Sequence, residues 1–151
     1  MKNPPNKICY KDIPADFEYC FCGDCPRASD CLRFAAGQCV PDKPMIGLCV
    51  FPPSCADGEC PYFRRSQPVR FAWGITPLFK NIFQKHSRAI HAQLYELLGS
   101  KTTFYRYNNG RYLLTPEQQE AILGIFERFG YDRLGLSFKC YVEKHDFSPM
   151  K

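Results

Sequence analysis

The sequence predicts an α+β fold, with a small cysteine-rich, metal-clamped N-terminal part packed on a helix–helix–β-hairpin–helix C-terminal part. Three observations carry this. Eight of the ten cysteines fall between Cys20 and Phe63. Apolar residues recur at helical spacing from Phe79 to Leu97 and again from Ala121 to Phe129. Between those two stretches, β-branched and aromatic residues flank an Asn-Gly pair, the signature of a hairpin. The parts are residues 1–66 and 67–151, with the hairpin at 102–114, and a single continuous domain also accommodates them.

Length and composition set the frame. A chain of 151 residues makes one domain, or one with a small appendage. Aromatics at 15% are more than a disordered chain carries. No apolar run is long enough to span a bilayer, so no membrane partner is expected. The N-terminal MKNPPNKICYKD lacks the apolar segment of a signal peptide, so the reducing cytoplasm is the expected compartment. Clustered cysteines there serve as metal ligands or redox groups more often than as disulfides. Charge is uneven: residues 1–60 hold 6 Lys/Arg against 8 Asp/Glu (−2), residues 61–151 hold 14 against 7 (+7), and the two sum to +5. A basic second part is compatible with a polyanionic partner, but a plain solvated face is the favoured reading, since an excess of Lys and Arg alone is weak evidence.

Taken in order, residues 1–19 are proline-rich and extended, with Tyr10, Ile13, Phe17 and Tyr19 able to lay apolar surface on a core. Next comes Cys20-Phe-Cys-Gly-Asp-Cys25-Pro, matched later by Cys55-Ala-Asp-Gly-Glu-Cys60-Pro; both read C-x-x-G-[DE]-C-P. Gly23 offers the positive φ of a tight turn. Pro26 suits a first helical position, predicting a helix over 26–36 with Cys25 at its N-terminus and Gly37 as its stop. Met45–Phe51 is apolar and strand-like, and Cys39 and Cys49 read as small buried residues. Val69–Trp73 is a strand ended by Gly74. Thr76-Pro77 starts a helical stretch that breaks near Lys85–Ser87, with Ser87 capping a second helix to Gly99. His86 lies on its apolar stripe as a packed residue. After the hairpin, Thr115-Pro-Glu-Gln118 is a capping-box start for a helix stopped by Gly130, and Leu134–Val142 adds a strand.

The duplicated knuckle is the strongest chemical signal. A structural zinc takes four ligands, and closely spaced cysteine pairs let one turn present two sulfurs. The candidate ligands are Cys20, Cys25, Cys31, Cys55 and Cys60, four of which suffice. Either both knuckle pairs or Cys20, Cys25, Cys31 and Cys60 would close a tetrahedron. An iron–sulfur cluster is the alternative cofactor: Cys22-x2-Cys25-x5-Cys31 resembles part of the ligand run of auxiliary-cluster domains in radical enzymes, but common ferredoxin spacings are absent. Cys22-Gly-Asp-Cys25 also has the C-x-x-C form of thiol redox proteins, without the βαβ pattern that accompanies it there. No hydrolase, P-loop or zinc-protease motif occurs, and His86, His91 and His145 all lie far from the cysteine stretch in sequence.

Two resemblances add to this. Cys20-Phe-x3-Cys25-Pro-x-Ala-x2-Cys31-Leu-Arg, Cys60-Pro-Tyr-Phe, Arg70-Phe-Ala-Trp-Gly and Leu114-Thr-Pro-Glu-Gln-x-x-Ala-Ile together resemble an uncharacterised family of short cysteine-rich proteins from gut anaerobes, a domain of unknown function. That resemblance implies a shared fold and no mechanism. Separately, two helices, an Asn-Gly hairpin and Leu114-Thr-Pro-Glu resemble a winged helix. This implies a recognition helix over 87–98 with Arg88, His91 and Gln93 toward a groove, and Lys101, Arg106 and Arg111 near phosphates. Arg64, Arg65 and Arg70, interleaved with aromatics, suit single strands or simply one packed face of a strand. The expected function is a non-catalytic, metal-stabilised binding or regulatory module whose partner is nucleic acid or another protein; the alternative is an iron–sulfur or thiol redox protein.

Overall fold

The computed structural model describes residues 8–43, 45–51 and 59–149 and is mixed α+β. The chain divides into two units, one formed by residues 1–68 and 144–151, the other by residues 69–143.

The first unit gathers Ile13, Phe17, Tyr19, Leu32 and Ala36 into a core, with Ile8, Cys39, Val40 and Phe147 packed against it. Phe17 meets Tyr19 and Phe147 edge-on, at 6.3 and 5.0 Å between centroids. Tyr19 joins the 48–50 segment in a parallel bridge: its N–H donates to the Leu48 carbonyl at 2.9 Å, and the Val50 N–H donates to the Tyr19 carbonyl at 2.8 Å. The C-terminal tail is tied in by Arg64, which donates to the Ser148 carbonyl and pairs with Asp146 at 3.6 Å.

The helix expected over 26–36 is shorter and later. A 3-10 turn covers Ala28–Asp30, and α1 runs Leu32–Gly37. The reason is pairing. Cys31 is extended (φ −95°, ψ 121°) and bridges Arg65 antiparallel, while the Leu32 N–H donates to the Arg64 carbonyl at 2.6 Å. Cys25 is therefore not at a helix N-terminus; the residue before α1 is Cys31. Gly23 does not adopt the positive φ expected of it. Cys49, expected buried, is exposed.

The second unit has most of β1 (Pro68–Trp73), α2 (Gln84–Leu97), α3 (Lys101–Asn108), α4 (Pro116–Arg128) and most of β2 (Cys140–His145). The strands pair antiparallel, the Lys139 N–H donating to the Gly74 carbonyl where β1 ends and β2 begins. Ala72, Ile75, Leu78, Ile90, Leu94, Phe104, Leu114, Ile122 and Phe126 fill the core. Gln119 is the buried polar residue there; its Nε2 donates to the carbonyls of Arg70 and Leu114, joining α4 to β1.

The hairpin expected at 102–114 is not formed. Its first half is α3. Ser100 caps that helix, accepting from the Thr103 N–H, and Phe104 enters the core with Tyr107 packed beside it one turn on. Burial at helical spacing outweighs β propensity, which is a weak and context-bound preference. The Asn-Gly pair serves as a helix stop: Asn109 ends α3 and Gly110 takes φ +74°, the left-handed geometry common after helices. Two further boundaries move: α2 begins at Gln84 rather than at Ser87, and the last strand is Cys140–His145 rather than 134–142. The capping box at Thr115 and the stops at Gly74, Gly99 and Gly130 stand where the sequence puts them, all three glycines with positive φ.

Candidate metal centre

The first unit brings three cysteine-bearing segments to one place. Cys20 ends the extended lead-in, and its N–H donates to the Arg33 carbonyl at 3.0 Å. The following turn is closed by the Cys25 N–H to the Cys22 carbonyl (3.4 Å) and the Ala28 N–H to the Cys25 carbonyl (3.0 Å). Cys31 sits between that turn and α1, fixed by its bridge to Arg65. Cys60 opens a turn in which the Phe63 N–H donates back to its carbonyl at 3.0 Å, and the Arg27 guanidinium stacks 3.3 Å over the Phe63 ring.

These segments enclose a cavity of about 10 Å³ lined by Cys20, Cys22, Cys25, Cys31 and Cys60. Arg33 is the charged residue in its wall; Phe34, Val50 and Phe63 are among the apolar ones. Of the five predicted ligands, Cys20, Cys25, Cys31 and Cys60 thus share one cavity, and Cys55 lies outside the described residues. Cys22, absent from the predicted set, joins them. The sulfurs share the space without converging: among the described residues, no three His, Cys, Asp or Glu side chains stand in a metal-coordinating arrangement. All of the described cysteines are free thiols. Cys39 packs against the core of the unit, its thiol directed at the Ile8 and Ala35 carbonyls.

Burial pushes the Cys20 thiol above its ordinary value of 9.0; the Cys22 backbone N–H pulls it down, and the neighbouring Cys31 and Cys22 thiols push it up again. A thiol so placed stays protonated at neutral pH unless a cation displaces the proton.

Arg33 is the residue the sequence reading missed. It is 5% exposed. Its Nε donates to the Tyr62 carbonyl at 2.9 Å, and its Nη1 donates to the Glu18 carbonyl at 3.0 Å and to the Glu18 carboxylate. That last bond is the main cause holding the Glu18 carboxyl below its ordinary value. The sequence shows only that Arg33 is the one charged residue in Cys31-Leu-Arg-Phe-Ala-Ala36; its burial and its partners are not written there.

In the second unit the basic residues named for nucleic acid are exposed: Arg88 on α2, Lys101 and Arg106 on α3, and Arg111 just after it. Arg106 donates to the Tyr112 hydroxyl at 3.1 Å, and its carbonyl accepts from the Arg111 N–H at 2.9 Å. The other two groove-facing candidates are engaged elsewhere. His91 stacks on Phe79 at 4.1 Å, with Nδ1 2.8 Å from the Ser87 carbonyl, and Gln93 accepts from Arg128 at 2.9 Å. With α3 in place of the hairpin, the wing that the winged-helix resemblance needed is missing. Arg70 stacks 4.0 Å over Tyr141.

Fold and cavity together define a small α+β protein with a thiol-lined centre in its cysteine-rich unit. The chain belongs to the family of unknown function DUF6078, whose sequence profile matches residues 1–147. No curated protein and no solved structure matches it. No helix among the described residues is long and apolar enough to cross a membrane.

Proposed function

We propose that Cys20, Cys25, Cys31 and Cys60 hold one structural Zn²⁺, and that the chain is a non-catalytic, metal-stabilised binding or regulatory module of the reducing cytoplasm. One observation carries this: four sulfurs from three separate segments line a single cavity, with Cys22 as a fifth. Four thiolates match the closed tetrahedral set of a structural zinc. The absence of the common ferredoxin cysteine spacings favours a single ion over an iron–sulfur cluster. Drawing the sulfurs onto an ion would cross-link the lead-in, α1 and the Cys60 turn. A unit with so small an apolar core gains most from such a link. The partner we infer for the module is another macromolecule, protein or nucleic acid.

Metal analysis of protein purified anaerobically without added metal tests this, with about one zinc per chain expected. Cys→Ser at each of the four positions removes both metal and folded structure in the first unit, whereas Cys39→Ser and Cys49→Ser leave the metal bound. A brown, iron-containing protein would overturn zinc in favour of the cluster. Metal-free protein that folds normally would overturn both. Retention on nucleic acid that weakens steeply with salt would identify the partner class, since phosphate contacts release counterions.

A further inference from the structure

Arg33 is bonded to two of the cysteine-bearing segments and lies two residues from a third cysteine. Its backbone carbonyl receives the Cys20 N–H at 3.0 Å. Its Nη1 holds the carbonyl of Glu18, two residues before Cys20, at 3.0 Å. Its Nε holds the carbonyl of Tyr62, two residues after Cys60, at 2.9 Å. Arg33 itself lies on α1, two residues after Cys31. One planar side chain therefore fixes the distances among the Cys20, Cys31 and Cys60 segments, and it does so while lining the cavity.

We infer that Arg33 is the positioning residue of the metal centre, its guanidinium setting the spacing of the Cys20, Cys31 and Cys60 ligands from within the cavity wall. The inference rests on the metal-centre reading above. Chemistry singles out arginine here. A guanidinium presents several donors in a rigid plane and serves two carbonyls in different directions at once; an ammonium on a flexible stem does not keep that geometry. The Glu18 carboxylate completes the arrangement, holding the same Nη1 that reaches the Glu18 carbonyl. The Phe17 ring, 5.2 Å from the guanidinium carbon, covers another side. With a carboxylate already paired to it, the guanidinium leaves little charge to offset thiolates, so its contribution is placement of the ligands. Groups outside a metal's own ligands typically alter metal affinity about 10- to 100-fold when removed.

Cobalt(II) is the probe, because its thiolate charge-transfer and d–d bands report ligand number and symmetry. Wild-type protein, Arg33→Lys, Arg33→Met and Glu18→Gln are titrated with Co²⁺ against a chelator under reducing conditions. For Arg33→Lys we expect Co²⁺ affinity to fall about 10-fold or more and the d–d bands of the saturated protein to change in shape, which a loss of folding stability alone would not do. Glu18→Gln, which keeps an acceptor for the guanidinium, should lose less. Should Arg33→Met fail to fold, Arg33→Lys and Glu18→Gln still decide. The inference is overturned if Arg33→Lys binds Co²⁺ with wild-type affinity and bands, or if it loses affinity while the saturated protein keeps wild-type bands. Wild-type protein binding neither Co²⁺ nor Zn²⁺ would instead bring down the metal-centre reading, a distinct result.

Discussion

Gly37 closes α1 directly against the Cys20 carbonyl, and a Cβ there would collide with backbone, not with a side chain that can swing aside. Gly→Ala in an open helix gains about 0.5–1 kcal/mol, but overpacking a fixed contact costs about 1–3 kcal/mol. The second effect wins because neither partner can yield. Gly37→Ala should therefore lower the urea midpoint of the first unit and, on the proposed zinc centre, weaken metal retention through the displaced Cys20 segment. Unchanged stability would show that the contact relaxes. His145 gives a residue-scale pH effect. Burial holds its imidazole below the ordinary 6.5, so the fold favours the neutral ring. The stability this contributes is full above pH 6.5 and is lost as pH falls through the lowered folded value. The midpoint measured at about pH 5.5 should fall below that at about pH 7.5, and the drop should shrink in His145→Gln, which does not titrate. At this scale the cysteines were legible because spacing alone marks them. Arg33 was not, because its role depends on two carbonyls about fifteen and thirty residues away, at Glu18 and Tyr62.

Among elements, α4 was readable and α3 was not, for reasons that lie in where their specifying contacts sit. α4 is written locally: Thr115 accepts from the Gln118 N–H, and the Gln118 side chain accepts from the Thr115 N–H, both within one turn of the chain. α3 carries Thr, Phe and Tyr that individually favour strands. Its helical state depends on Phe104 meeting a core built from α2, α4 and β1. The same Asn-Gly signal fits a hairpin turn or a helix stop, since both need the left-handed φ that Gly110 supplies. The capping box can be tested directly. Thr115→Ala removes the acceptor for the Gln118 N–H and should cost about 1 kcal/mol, a fall of about 4–8 °C in the melting midpoint of a unit this size. Gly110→Ala should cost more than Gly124→Ala. The first forces a side chain onto a positive φ and against Trp73, whereas the second adds a methyl in open space.

For the whole molecule, the two units differ in what holds them together. Residues 69–143 surround a core with seven fully buried large side chains, Ile75, Leu78, Ile90, Leu94, Leu114, Ile122 and Phe126. Among the described residues of 1–68 and 144–151 the hydrophobic cluster has five buried members, and the one α-helix is a six-residue piece. Burial at roughly 25 cal/mol per Å² supports the former far better than the latter. The sequence showed this imbalance only as a crowding of cysteines, because thiols and apolar side chains take the same place in a small core. If a zinc makes up the difference, its removal should act on one unit alone. Hydrogen exchange with and without a strong chelator under reducing conditions measures this. The Cys20, Leu32 and Val50 amides, bonded to Arg33, Arg64 and Tyr19, should lose protection on chelation. The Ala72 and Leu114 amides, bonded to each other's carbonyls, and the α4 amides should keep theirs. Equal loss in both units would mean that the molecule unfolds as one body. No loss in either would mean that the first unit stands without metal and that its thiols serve another end.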